Sequence, residues 1–188
     1  MADHSELELS TPRLRLRAPR MTDAKAMLAI YADPAVCRYL PWGAWASIDV
    51  ARERLERYVQ AMVAGDIVRL LITAKADEAV LGDCTLFHLD GPCRRAEVGY
   101  SLAAAAWGRG IVQEAVGELL RFGFEAMDLN RVEADIDPRN AASARSLERL
   151  GFVREGLLRE RWIVEGEVSD SAIYGLLRRD WAARSVTE

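Results

Sequence analysis

The stretch Trp107-Gly108-Arg109-Gly110-Ile111-Val112-Gln113-Glu114-Ala115-Val116 constrains this chain most. Two glycines around an arginine open a helix whose apolar positions continue through Leu119, Leu120, Phe122 and Phe124. Glycine is a poor helix former and packs nothing, so a pair of them at a helix entrance needs a reason. Unpaired N–H groups and the positive dipole end make a helix N-terminus an anion site, and Arg109 adds a charge. Without a Cβ in the way, a diphosphate can reach those amides. A plain tight turn explains the same residues, and on local chemistry both readings stand. Two nucleotide patterns can be checked. A Walker loop needs Gly-Lys-Ser/Thr, which is absent. A dinucleotide fingerprint needs glycine where Gln113 stands, so it fails, although Glu133 lies at a suitable distance for a ribose contact.

Around this turn the apolar periodicity alternates between strand and helix. Strands are expected at Leu14–Arg17, Val68–Ala74, Val80–Leu89 and Ala96–Leu102, then at Val132–Ile136, Phe152–Glu155, Arg161–Val164 and Ser171–Leu177. Helices are expected from Met21 to Ala32 with Thr22 as N-cap, from Ser47 to Met62, over the opening stretch, and from Ala141 to Leu150 before Gly151. The order β-α-α-β-β-β-α-β-α-β-β gives an α+β protein, a mixed and mostly antiparallel sheet of about seven strands with helices on both faces. No repeat or proline-rich linker divides the 188 residues, so one domain over 1–188 is expected, with residues 1–10 as a flexible tail.

Composition excludes several classes. No apolar run approaches the ~20 residues of a membrane span, and the first twenty residues hold no signal-peptide core, so a cytoplasmic protein is expected. The net charge of −4, with neither sign in blocks, argues against a nucleic-acid surface. Cys37, Cys84 and Cys93 form no CxxC pair, and His4 and His88 are the only histidines, so no metal site is expected. His88 reads as a strand residue.

Two more stretches carry chemistry. In Ala96-Glu97-Val98-Gly99-Tyr100-Ser101-Leu102, alternation puts Glu97, Gly99 and Ser101 on one face, and Ala96, Val98, Tyr100 and Leu102 on the other. Glu97 is either a proton acceptor facing a ligand channel or a solvent-facing partner of Arg94 or Arg95. In Asp137-Pro138-Arg139-Asn140-Ala141-Ala142-Ser143, Asn140 is a natural N-cap with Ser143 three residues on, and capping alone accounts for both.

Taken in order, the glutamate strand, glycine turn, long helix, strand, Asn-x-x-Ser helix and Leu150-Gly151-Phe152 resemble the GNAT superfamily of N-acetyltransferases. "TPRLRLRAPRMTDA" and "ERLGFVREGLLRERW" are similar to its branch of ribosomal-protein N-terminal acetyltransferases, so the likeness covers nearly the whole chain. The family's acyl-CoA loop, Gln/Arg-x-x-Gly-x-Gly/Ala, falls on Trp107 to Val112. Gly110 fits; Trp107 replaces the polar first residue and Val112 the small last one. The resemblance implies a three-layer fold with a splay between the fourth and fifth strands, where acetyl-CoA inserts. It implies that Trp107, Gly108, Arg109, Gly110, Ile111 and Val112 hold the pyrophosphate. Ser101, Leu102 and Ala103 would pair with pantetheine through their backbones, and Asn140 and Ser143 would bind it from the far side. Many members place the acid that protonates the leaving thiolate on a tyrosine where this chain has Leu147. Ser143 is then the candidate acid, with Tyr100 or a water as substitute. Glu97 would be the base, acting through water, and a backbone N–H around Ser101 would polarise the thioester carbonyl.

Acetylation of a primary amine, such as a protein N-terminus, follows from the resemblance, by direct attack in a ternary complex. Tyr39, Trp42 and Trp45 would line the acceptor entrance; core packing explains each of them as well. The partners expected are acetyl-CoA and an amine (a peptide N-terminus or a small molecule), with the chain a monomer or homodimer. Two alternatives remain at this level: a non-catalytic acyl-CoA-binding module, and a dinucleotide oxidoreductase.

Overall fold

Val68, Leu70, Leu71 and Ile72 are all fully buried, which places their strand in the middle of a sheet covered on both faces. The computed structural model describes residues 2–185. It has strands β1 (Glu8–Ser10), β2 (Leu14–Arg17), β3 (Val68–Ala74), β4 (Val80–Asp90), β5 (Arg95–Leu102), β6 (Arg131–Ile136), β7 (Val153–Val164) and β8 (Glu167–Leu177). They form one sheet in the order β1-β2-β3-β4-β5-β6-β8-β7. Every neighbouring pair is antiparallel except β5 and β6.

Helices cover both faces. On one, α1 (Ala24–Tyr31) and α3 (Ile48–Ala64) bury Met27, Ile30, Tyr31, Ala51 and Leu55 against Leu71. On the other, α4 (Ile111–Glu125) buries Ile111, Ala115, Val116, Leu119, Leu120 and Phe124 in the main core, joined there by Leu147 of α5 (Ala141–Leu150). The alternation that defines a strand thus sends Leu70 and Ile72 to one core and Leu71 to the other.

The helix ends carry chemically suitable caps. Ser47 Oγ accepts the Val50 N–H at 3.3 Å, Asn140 Oδ1 accepts the Ser143 N–H at 3.1 Å, and Gly65 and Gly151 close α3 and α5 in left-handed conformation. Thr22 caps nothing. Met21–Asp23 is a 3₁₀ turn, and Asp23 instead takes the Arg20 N–H at 2.7 Å and both terminal nitrogens of Arg17 at 2.8 and 2.7 Å.

The sheet has eight strands, where about seven were expected. Glu8–Ser10, inside the stretch expected to be a tail, pairs with β2 and buries Leu9. The expected strands Phe152–Glu155 and Arg161–Val164 merge into one long edge strand, β7, which begins at Val153 and whose register shifts twice against β8. The short helix α2 (Pro34–Cys37) and the C-terminal α6 (Arg178–Ser185) carry too little apolar periodicity to be read from sequence. Among the described residues no helix is long and apolar enough to cross a membrane.

Candidate active site between β5 and β6

The parallel pair β5–β6 holds together at only three positions: Arg95↔Arg131, Ala96↔Val132 and Glu97↔Glu133. Beyond Glu97 the two strands part. These are the fourth and fifth strands of the sequence reading, renumbered because β1 precedes them. The splay leaves one edge of β5 facing a cavity of about 790 Å³.

Backbone alternation decides which groups face that opening. The Ala103 N–H already bonds the Leu81 carbonyl at 2.8 Å, so the Ser101 and Gly99 backbones also turn toward β4, and those of Val98, Tyr100 and Leu102 turn away from it. The Ser101 carbonyl accordingly lies 2.1 Å from where a Cβ on Gly82 would sit, and only glycine fits there. Ser101 and Ala103 therefore do not present backbone donors to the splay, contrary to expectation. Leu102 does, although its carbonyl accepts the Trp107 indole N–H at 2.9 Å.

That indole contact anchors the glycine turn. Gly108 and Gly110 have φ of 72° and 73°, a left-handed conformation that explains why glycine stands at both positions. Gly110 is the N-cap of α4 and has no side chain to satisfy the first-turn N–H groups. Arg13 braces the turn from β2's approach, with Nε 2.6 Å from Glu114 Oε2 and one guanidinium N–H on the Arg109 carbonyl at 3.2 Å. Glu114 also accepts from Thr11 at 2.5 Å and from the Arg13 N–H at 2.9 Å. The first-turn carboxylate is thereby occupied, and the amides above it stay free for an external anion. Ile111 is buried in the core and Val112 packs against it, so neither side chain obstructs the amides.

Inside the cavity Glu97 meets neither Arg94 nor Arg95. Arg94 pairs with Asp128 at 3.3 Å, and Arg95 with Asp90 and Glu133 at 3.3 and 3.2 Å. The nearest partner of Glu97 is His88, whose Nδ1 lies 3.0 Å from Glu97 Oε2. Burial pushes the Glu97 carboxyl above its ordinary range, and the His88 contact pulls part of that back.

Across the opening, the Tyr100 hydroxyl sits 2.8 Å from Ser143 Oγ. Burial raises the Tyr100 phenol to about 12, so it stays protonated through the neutral range. Leu147 is fully buried in the main core, so the position to which the family resemblance assigned a tyrosine acid does not face the cavity here. Asn140 and Ser143 both line the cavity.

Its floor is a buried polar cluster. Arg69 pairs with Asp83, and the Tyr31 hydroxyl donates to Asp83 at 2.5 Å and accepts from Arg69 at 3.1 Å. Sequence reading missed this cluster, although an arginine inside the apolar run Val68–Ile72 signals a buried partner. His88 left no such signal, because nothing in the sequence shows which way it points.

The aromatic loop divides. Tyr39 and Trp42 line the cavity, whereas Trp45 is 3% exposed and stacks on Tyr31 with ring centroids 4.5 Å apart. Trp45 is therefore core and not an entrance residue. Gly43 closes the loop against the β7–β8 turn: a Cβ there would meet Glu165 Oε1 at 2.1 Å.

A sheet splayed at one parallel pair, a helix N-terminus stripped to free amides and a carboxylate in the cleft together define an acyltransferase of the acyl-CoA-dependent kind. Residues 13–153 match the model of the acetyltransferase (GNAT) domain family. The chain is 34% identical over 174 residues to the "uncharacterized N-acetyltransferase p20" of Bacillus licheniformis, covering 93% of this chain and 98% of that one. Over 84 residues, 45% of this chain and 43% of the relative, it is 30% identical to the [ribosomal protein uS5]-alanine N-acetyltransferase of Escherichia coli. The solved acetyltransferase (GNAT family) from Bacillus anthracis shares the fold, with a TM-score of 0.82, 21% identity and coverage of 92% and 99%. The chain belongs to the GNAT acetyltransferases. It is an acetyl-CoA-dependent N-acetyltransferase.

Proposed function

We propose that the chain acts as one domain that acetylates the α-amine of a protein or peptide N-terminus, with Glu97 as base and the Tyr100–Ser143 pair as acid. The observation that carries the reading is a carboxylate, Glu97, placed where β5 and β6 part and left without a guanidinium partner. Asp83, Asp137 and Glu167 in the same cavity are each held by arginine.

Acetyl-CoA fits the groups present. The free amides of the Gly108–Val112 turn and the Arg109 guanidinium suit its pyrophosphate. The outward backbone groups of Val98, Tyr100 and Leu102 suit an extended pantetheine, and Asn140 can reach it from α5. Bound there, acetyl-CoA supplies an activated thioester. The outward amide of Val98 or Tyr100 is suited to the thioester oxygen, a role sequence reading gave to the neighbourhood of Ser101.

The protein's own groups manage the protons. The neutral amine forms the C–N bond as the C–S bond breaks; the amine proton passes to Glu97, and the leaving sulfur takes one from Tyr100 or Ser143. An α-amine with pKa near ~8 is roughly a tenth neutral at pH 7, whereas lysine near ~10.4 is neutral in under ~1 in 1,000 molecules. A single glutamate working through water is therefore better matched to an α-amine. The E. coli relative, named for alanine acetylation of a ribosomal protein, supports the same class of acceptor. Tyr39, Trp42 and Glu165 of the β7–β8 turn line the same cavity and are available to a peptide acceptor.

An acceptor screen read by mass spectrometry tests this. Serine- and alanine-initiated peptides should gain one acetyl group at the N-terminus; exclusive acetylation of polyamines or small aryl amines would overturn the acceptor assignment.

A further inference from the structure

We propose that His88 is the positioning and proton-exit residue for Glu97, carrying the proton taken from the acceptor amine out to bulk water. The proposal rests on Glu97 acting as the base.

The geometry is specific. Phe87 and Glu97 are paired across β4 and β5, so they share a face, and regular alternation would put His88 on the other. Instead the register breaks between Phe87 and Asp90, and His88 takes a left-handed backbone with φ of 49°. Such a bulge re-aims a side chain. Here it brings the His88 ring beside that of Phe87, with centroids 4.7 Å apart, and sets Nδ1 3.0 Å from Glu97 Oε2. A left-handed histidine is an uncommon conformation, retained here with its imidazole on a cavity carboxylate that has no arginine partner.

The two ends of the pair differ in access. Both line the cavity, but the Glu97 side chain is 23% exposed and the His88 side chain 76%. Other acidic groups near Glu97 are already committed. Glu133 is held by Arg95 and Arg131, and Asp135 by the Ser171 hydroxyl, with Arg161 at 3.9 Å. Imidazole is also the side chain suited to taking and giving a proton near neutrality. After the amine proton reaches Glu97, the carboxylic acid O–H passes it to Nδ1. Glu97 returns to carboxylate, and the imidazolium releases a proton to water. The exposed ring gives that proton a direct way to bulk water.

His88→Gln keeps a hydrogen bond to Glu97 and cannot carry the proton; His88→Ala removes both. Steady-state transfer from acetyl-CoA to a serine-initiated hexapeptide, with spermidine as the alternative acceptor, reads the effect, and Glu97→Gln is run beside them. Expected is a roughly 10-fold fall in kcat for H88Q, below the 10²–10⁴-fold range of losing a general base. The acetyl-CoA KM should be unchanged, and H88A should recover turnover on addition of free imidazole. Full kcat in H88Q and H88A alongside a large loss in E97Q would overturn the proposal and spare the base. Full kcat in E97Q would overturn both. A loss in H88A that imidazole does not restore, matched by a fall in melting temperature, would make His88 merely structural.

Discussion

The Tyr100 hydroxyl lies 2.8 Å from Ser143 Oγ, joining the middle of β5 to the first turn of α5. A phenol pushed up to about 12 remains a proton donor at neutral pH, and the serine hydroxyl is placed to relay or share that proton. Tyr100→Phe and Ser143→Ala should each lower kcat, Tyr100→Phe by about 10²-fold, and the double variant should be no worse than Tyr100→Phe alone, because coupled groups do not add. Rates that multiply in the double variant would show two independent roles.

As the proposed base, Glu97 must be the carboxylate, so kcat/KM should fall as pH drops through its pKa. Burial raises that pKa, which places the acidic limb above the range of an ordinary glutamate. Glu97→Gln should remove the limb and cost about 10²–10⁴-fold in rate. A pH–rate profile of both proteins checks this, and an unchanged limb in the variant assigns it elsewhere.

At Gly110 the left-handed backbone, not space, is the constraint: a Cβ would make only an ordinary 3.6 Å contact with Arg13. Gly110→Ala should therefore cost about 1–2 kcal/mol locally. Coenzyme A affinity, measured calorimetrically, should weaken as the first-turn amides shift, with kcat at saturation nearly retained.

Installing a tyrosine at position 147, as the family resemblance suggested for the acid, should not help this protein. Leu147 is fully buried, so Leu147→Tyr overpacks the core at a cost of about 1–3 kcal/mol and leaves turnover no higher. Leu147→Ala should lose about 2–5 kcal/mol by cavity formation. Thermal denaturation distinguishes the two, and a faster Leu147→Tyr enzyme would contradict the orientation.

Much of this protein is determined by local rules. The caps at Ser47 and Asn140, the left-handed glycines that end α3 and α5, the glycine turn before α4 and the buried run Val68–Ile72 follow from residues a few positions apart, whose chemistry suffices wherever they fold. Glu97's face of β5 follows from alternation too. Tertiary structure decided the rest. Whether Glu97 meets Arg94, Arg95 or His88 depends on a bulge in a neighbouring strand. Which backbone amides look into the splay depends on the bond from Ala103 to Leu81. Trp42 faces the cavity while Trp45, three residues on, stacks against Tyr31 in the core. Sequence spacing fixes direction only within one element; between elements, register and irregular backbone set it, and both arise from the packing of the whole sheet.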